Sequence, residues 1–125
     1  MKILIVDDKP AVRSSLMGIL TQLGFTRVLQ ARDGLVAWDI LNGPGENGGV
    51  DLVISDLEMP GMNGLELLRH IRSDARFSAL PFIMATTVRD RDLILDIMKL
   101  GIQAYISKPF NHDMVEIKLK QAGLF

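Results

Sequence analysis

Five apolar runs of strand length alternate with stretches of helical spacing, and that alternation confines the chain to few folds. The runs are Lys2 to Val6, Arg27 to Gln30, Asp51 to Ser55, Pro81 to Ala85 and Gln103 to Ser107. The first, Ile3-Leu4-Ile5-Val6, is apolar throughout, as a strand covered on both faces must be. Between the runs, apolar residues recur three and four apart. They are Val12, Leu16, Ile19, Leu20 and Leu23; then Val36, Ala37, Ile40 and Leu41; then Leu65, Leu68 and Ile71. A fourth helix is expected over Arg89 to Leu100 with Ile94, Ile97 and Met98 inward, and a last one carries Val115 and Leu119. Pro10 suits a first helical turn, Asp33 and Asn111 suit N-caps, and Asn63 with Glu66 spells a capping box. Gly24, Gly43 and Gly101 are natural stops. Strand-helix repetition of this kind predicts an α/β fold with a parallel sheet and right-handed crossovers.

The 125 residues are expected to form a single domain over 1–125, without an output domain. A domain of this size buries about two-thirds of its unfolded surface and needs no staple. With no cysteine, disulfides, thiolate metal sites and a cysteine nucleophile are excluded. A net charge of −1 gives no reason to expect nucleic-acid binding. No apolar run is long enough to span a bilayer, and the N-terminus lacks the features of a signal peptide, so a cytoplasmic location is expected. The glycine-rich segment Gly43 to Gly49 reads as a surface loop; no Gly-Lys-Ser/Thr follows it, so it is not a P-loop.

Charged residues end three of the runs. Asp7-Asp8 follow the first, Asp56 ends the third, and Lys108-Pro109 follow the fifth. In a parallel sheet these positions meet at the carboxyl edge, where open α/β sheets bind ligands. Aspartates crowded together repel unless a cation intervenes. Mg²⁺ takes oxygen ligands from one or two carboxylates, waters and phosphate oxygens. Asp8 and Asp56 are the candidate direct ligands, with Asp7 direct or through water. A carboxylate can also act as the nucleophile toward phosphorus, and Lys108 is a compact charge suited to a phosphoryl oxygen.

At these residues the chain resembles the receiver domain of two-component response regulators, the CheY-like family. The resemblance covers essentially the whole chain. It rests on Val6-Asp7-Asp8, on Asp56 with Met59-Pro60-Gly61-Met62-Asn63-Gly64, on Met84-Ala85-Thr86, and on Tyr105-Ile106-Ser107-Lys108-Pro109-Phe110. It implies a flavodoxin-like (βα)5 doubly wound sheet with strand order 2-1-3-4-5. It further implies a monomer in which Asp56 accepts a phosphoryl group from a histidine kinase. Asp7, Asp8, Asp56 and the backbone carbonyl of Glu58 would hold Mg²⁺. Lys108, preceding a cis Pro109, would bind the phosphoryl group. Thr86 would swing toward it and Tyr105 would turn inward, a two-state switch read on the surface of the fourth helix, fifth strand and fifth helix. Arg89, Arg91, Asp92 and Tyr105 are the exposed candidates on that surface, although Tyr105 reads equally as a half-buried strand aromatic.

Three positions depart from the family pattern. Glu58 adds a fourth carboxyl group, able to contact the metal's waters, pair with Lys108 or hinder an attacking water. Thr87 stands where alanine, serine or glycine is usual, and Val88 is apolar where dephosphorylation is often tuned. These departures bear on phosphoryl lifetime and partner choice. Leu23-Gly24-Phe25 and Ala31-Arg32-Asp33-Gly34 resemble chemotaxis regulators, whose target is the flagellar motor switch; a receiver excised from a longer regulator, or acting outside chemotaxis, is the alternative. A haloacid-dehalogenase-like phosphatase also uses an aspartyl nucleophile, Mg²⁺ and lysine. It requires a second aspartate two residues after the first, where this chain has Glu58.

Overall fold

The five apolar runs form one parallel sheet in the order β2-β1-β3-β4-β5. The computed structural model describes all residues, Met1–Phe125. The strands are β1 (Lys2–Val6), β2 (Arg27–Ala31), β3 (Leu52–Ser55), β4 (Phe82–Thr86) and β5 (Ala104–Ser107). The helices are α1 (Pro10–Gln22), α2 (Gly34–Leu41), α3 (Gly64–Ser73), α4 (Arg91–Leu100) and α5 (His112–Gln121). A short 3₁₀ turn, Glu46–Gly49, lies within the glycine-rich loop. No helix is long and apolar enough to cross a membrane.

Strand alternation divides the core into two layers, because successive side chains point to opposite faces. Ile3 and Ile5 of β1 pack with Leu16 and Leu20 of α1 and with Val115 and Leu119 of α5. Leu4 and Val6 point the other way, into a layer with Ala37 and Leu41 of α2, Leu67, Leu68 and Ile71 of α3, and Ile97 of α4. Helices therefore cover both faces of the sheet, and β1, β3 and β4 are buried along nearly their whole length.

The caps act where the sequence places them. The Asp33 carboxylate accepts from the Val36 N–H at 2.9 Å. Asn63 and Glu66 exchange both bonds of the capping box, and Asn111 accepts from the Met114 N–H. The fourth helix departs from the sequence reading. Helix α4 starts at Arg91, because the Asp90 side chain accepts from the N–H groups of Asp92 and Leu93, which leaves Arg89 in the preceding loop. Met98, expected inward, is 56 % exposed. The buried stripe of α4 runs through Leu93, Ile97 and Leu100, and Met98 lies about 100° round the helix from Ile97.

Ile54, fully buried at the centre of β3, carries the expected cost of an interior truncation. Ile54→Ala should lose about 2–5 kcal/mol in urea unfolding. Leu35→Ala, on the exposed face of α2, should stay within about 0.5 kcal/mol of the parent.

Candidate functional site

Parallel register brings the strand ends level. Val6 pairs with Ser55 across β1 and β3, so the next residues, Asp7 and Asp56, leave the sheet side by side. Their backbones continue the ladder: the Asp56 N–H donates to the Val6 carbonyl at 2.8 Å and the Asp7 N–H to Ala31 at 3.1 Å. Thr86 pairs with Ser107, and the Lys108 N–H donates to the Thr86 carbonyl at 3.0 Å. The charged residues from β1, β3 and β5 thus share one edge.

At that edge, carboxylate oxygens of Asp7, Asp8 and Asp56 all lie within 4.8 Å of one another. Asp7 and Asp56 are buried, while the Asp8 side chain is 32 % exposed. The Lys108 ammonium donates to Asp7 Oδ2 at 2.6 Å and stands 3.4 Å from Asp56 Oδ2. Asp56 Oδ1 accepts from the Leu57 N–H at 2.8 Å, so Oδ2 is the oxygen turned toward the cations. Asp7 Oδ1 is held similarly by the Lys9 N–H. Charges this deep need a partner, since an uncompensated buried carboxylate costs several kcal/mol.

The donor set is made of hard oxygens, with neither thiolate nor imidazole, and it fits Mg²⁺. Asp7, Asp8 and Asp56 are the residues able to hold the ion. Glu58 is exposed and borders a cleft of about 670 Å³ with Asp8, Lys9, Pro60, Asn63 and Leu93. Lys108 pairs with Asp7 and Asp56, not with Glu58.

On the other side of the crevice lies the loop between β4 and α4. Thr86 is buried, and its hydroxyl accepts from the Val88 N–H at 3.3 Å. Arg89 spans the loop, donating to the Thr87 carbonyl at 2.8 Å and to the Lys108 carbonyl at 3.0 Å. Arg89, Arg91 and Asp92 are exposed, whereas Tyr105 takes the second of its two readings and is half-buried, because its hydroxyl reaches the Val88 carbonyl at 2.7 Å. The Lys108-Pro109 peptide is cis, as expected.

The roles of three residues at the site are not legible in the sequence. Lys9 places its ammonium 3.3 Å from Asp8 Oδ1 and 4.0 Å from Asp56 Oδ2. Its hydrogen bond to Asp8, together with the field of the carboxylates, raises its pKa above the ordinary lysine value. Its position directly after the aspartate pair was the available signal. Arg89 had no signal as a loop clamp, since its partners are backbone carbonyls. Gly64 packs so closely that a Cβ there would meet the Asp56 carbonyl oxygen at 2.1 Å. Only glycine leaves the Asp56 backbone undisturbed, and the sequence marked Gly64 only as part of a motif. His70, exposed, bonds the Glu66 carbonyl, and Trp38 packs edge-on against Phe77; neither reaches the crevice.

Comparison with known proteins matches residues 3–120 to the response regulator receiver domain profile. The chain is 38 % identical over 120 residues to chemotaxis protein CheY1 of Helicobacter pylori, covering 96 % of this chain and 94 % of that protein. It is 40 % identical over 119 residues to chemotaxis protein CheY-3 of Vibrio cholerae, covering 95 % and 88 %. Among solved structures, chemotaxis response regulator CheY4 of Vibrio cholerae superposes with a TM-score of 0.84 at 27 % identity, covering 97 % of each chain. The bacteriophytochrome response regulator RtBRR gives 0.85 at 27 % identity, covering 99 % of this chain and 78 % of that one.

Tyr105 is the sole tyrosine, so tyrosinate absorbance reports it alone. Burial raises its phenol above the ordinary value, with Arg89 opposing and Asp56 adding to the shift. The folded protein should therefore ionise at higher pH than the chain unfolded in guanidinium, whose midpoint should lie at about 10. A raised pKa means that the neutral phenol stabilises the fold. That contribution is complete below the unfolded midpoint and is lost as pH rises through the folded one. Coincident midpoints in an ultraviolet titration would contradict the burial described.

Proposed function

Because the chain belongs to the response regulator receiver domain family, we propose that Asp56 is its phosphoacceptor and that Lys108, Thr86 and Tyr105 convert the modification into a change of surface. As a receiver it is a signalling phosphoacceptor with a histidine kinase as its partner, not a classical enzyme. The observation that carries the assignment is Asp56 Oδ2, within 3.4 Å of the Lys108 ammonium and inside a cluster of three carboxylates.

Asp56 Oδ2 attacks the phosphorus of a phosphohistidine on the kinase. The P–O bond forms, the P–N bond breaks, and its electron pair returns to the imidazole. When bound by Asp7, Asp8, Asp56 and the Glu58 carbonyl, Mg²⁺ supplies positive charge against the carboxylates and the phosphoryl oxygens. Lys108 is already oriented by Asp7 and exchanges that partner for a phosphoryl oxygen, so its charge needs little reorganisation. The Thr86 hydroxyl gives up the Val88 N–H and donates to another phosphoryl oxygen. Tyr105, bonded to the Val88 carbonyl, then loses its anchor as the loop moves and turns inward. The change reaches the surface of α4, β5 and α5, where Leu95, Met98 and Ile117 are exposed.

Chemotaxis is the pathway this reading favours, supported by identities of 38–40 % to chemotaxis proteins over nearly the whole chain. The downstream target is then a protein such as the flagellar motor switch, and a cytoplasmic location belongs to the same reading. Glu58, at the rim of the cleft beside Asp8 and Lys9, the exposed Thr87 and the half-buried Val88 are, on this reading, the positions that tune the lifetime of the phosphoryl group.

A small phosphoramidate donor should add one phosphoryl group in the presence of Mg²⁺, read by intact mass, and Asp56→Asn should reduce labelling to background. Undiminished labelling of the variant, or no labelling of the parent by a competent donor, would sink the assignment. Lys108→Ala should keep its Mg²⁺ uptake by calorimetry. In that variant, hydrogen exchange of the loop between β4 and α4 should no longer respond to phosphorylation. A response equal to the parent's would remove Lys108 from the switch.

A further inference from the structure

Two lysines face the acidic cluster, and they are held very differently. The Lys108 side chain is 11 % exposed and lies against Asp7, 2.6 Å away. The Lys9 side chain is 59 % exposed and leans over the mouth, against Asp8 at 3.3 Å and Asp56 Oδ2 at 4.0 Å. The phosphoacceptor chemistry uses the first and leaves the second without a role. We propose that Lys9 is a tethered counter-ion that sits over Asp8 and Asp56 and competes with the divalent cation for them. The inference rests on the crevice being a Mg²⁺ site, and it concerns how that site is loaded.

Three crowded carboxylates repel one another, and a single buried ammonium balances only part of that charge. Lys9 supplies a second positive charge at the side open to solvent, against Asp8, the most exposed of the three. Its hold is weak, because an exposed ion pair is screened and its flexible stem gains freedom on release. A divalent ion brings twice the charge and draws the same oxygens into its own coordination. An ammonium and a metal ion cannot both sit against Asp8 and Asp56 without strong repulsion. Metal entry therefore requires Lys9 to swing out, which its exposure permits at little cost. The crevice consequently binds metal less tightly than its three carboxylates alone would, with an affinity that depends on ionic strength.

The side chain can be altered without disturbing the local backbone. Lys9 is the N-cap residue of α1, yet its side chain makes no capping bond. The contact that matters to Asp7 comes from the Lys9 backbone N–H, which any residue but proline supplies. Lys9→Met keeps the stem and removes the charge, whereas Lys9→Arg keeps the charge.

Titration calorimetry with MgCl₂ alone, on the parent and both variants, tests the inference without any phosphodonor. At low salt, Lys9→Met should bind Mg²⁺ roughly three- to tenfold more tightly than the parent, and Lys9→Arg should match the parent within about twofold. The advantage of Lys9→Met should shrink toward unity in about 1 M KCl, where the screening length is near 3 Å. Equal or weaker binding by Lys9→Met at low salt, with the parent binding normally, would overturn the counter-ion role and leave the metal site intact. An advantage that persists unchanged in high salt would overturn it as well. Failure of all three proteins to take up Mg²⁺ at millimolar concentration would overturn the metal reading and this inference with it.

Discussion

The parallel register of β1 against β3, with Val6 opposite Ser55, governs the rest of the crevice. Side chains alternate along a strand, so a slip of one residue would turn Ile3 and Ile5 out of one core layer and Leu4 and Val6 out of the other. Both faces of β1 are buried, which makes any slip costly. The same register that satisfies the core brings Asp7 and Asp56 out of the sheet as neighbours. Their like charges oppose folding locally, and the surrounding apolar packing holds them in place.

Once two buried carboxylates are fixed side by side, the remaining parts of the site follow as compensation. Lys108 arrives from β5, tied through its N–H to Thr86, and neutralises charge at the bottom of the crevice. Lys9 balances charge at the mouth. Gly64 lets α3 begin against the Asp56 backbone, and the Ser55 hydroxyl donates to the Asp56 carbonyl at 2.8 Å. On the far side, Arg89 and Tyr105 bind carbonyls of the loop between β4 and α4. That loop is tethered by a handful of polar contacts, whereas the strands are locked by buried apolar surface. A shift of charge at Asp56 therefore has a soft neighbour to move and a rigid sheet to move it against.

Most of the architecture was legible in the sequence because burial leaves periodic marks. The Ile3-Leu4-Ile5-Val6 run, the Asp33 and Asn63 caps and the glycine stops each carry local physical information, and β1 matches its expected bounds. The aspartates and Lys108 were legible because they sit at strand ends, where topology alone brings them together. Other features were not. Met98 has an apolar side chain at a plausible helical spacing, but the exposed side of α4 was set by tertiary packing around Ile97. Tyr105 reads as either a surface residue or a half-buried strand aromatic, because nothing in the sequence reveals the Val88 carbonyl within its reach. Arg89 and Gly64 act through geometry that becomes visible only when the chain is folded, as a clamp on carbonyls and a missing Cβ, whereas Lys9, a charge over the mouth, is signalled only by its place after the aspartate pair.

The most direct test asks which carboxylate carries the phosphoryl group. Borohydride reduces an aspartyl phosphate to homoserine, and peptide mass spectrometry locates it. After treatment with a phosphodonor and Mg²⁺, homoserine is expected at position 56, with Asp7 and Asp8 unchanged. Homoserine at position 7 or 8, or phosphoprotein that yields none, would contradict the assignment of Asp56 as the acceptor and of its neighbours as the groups that serve it.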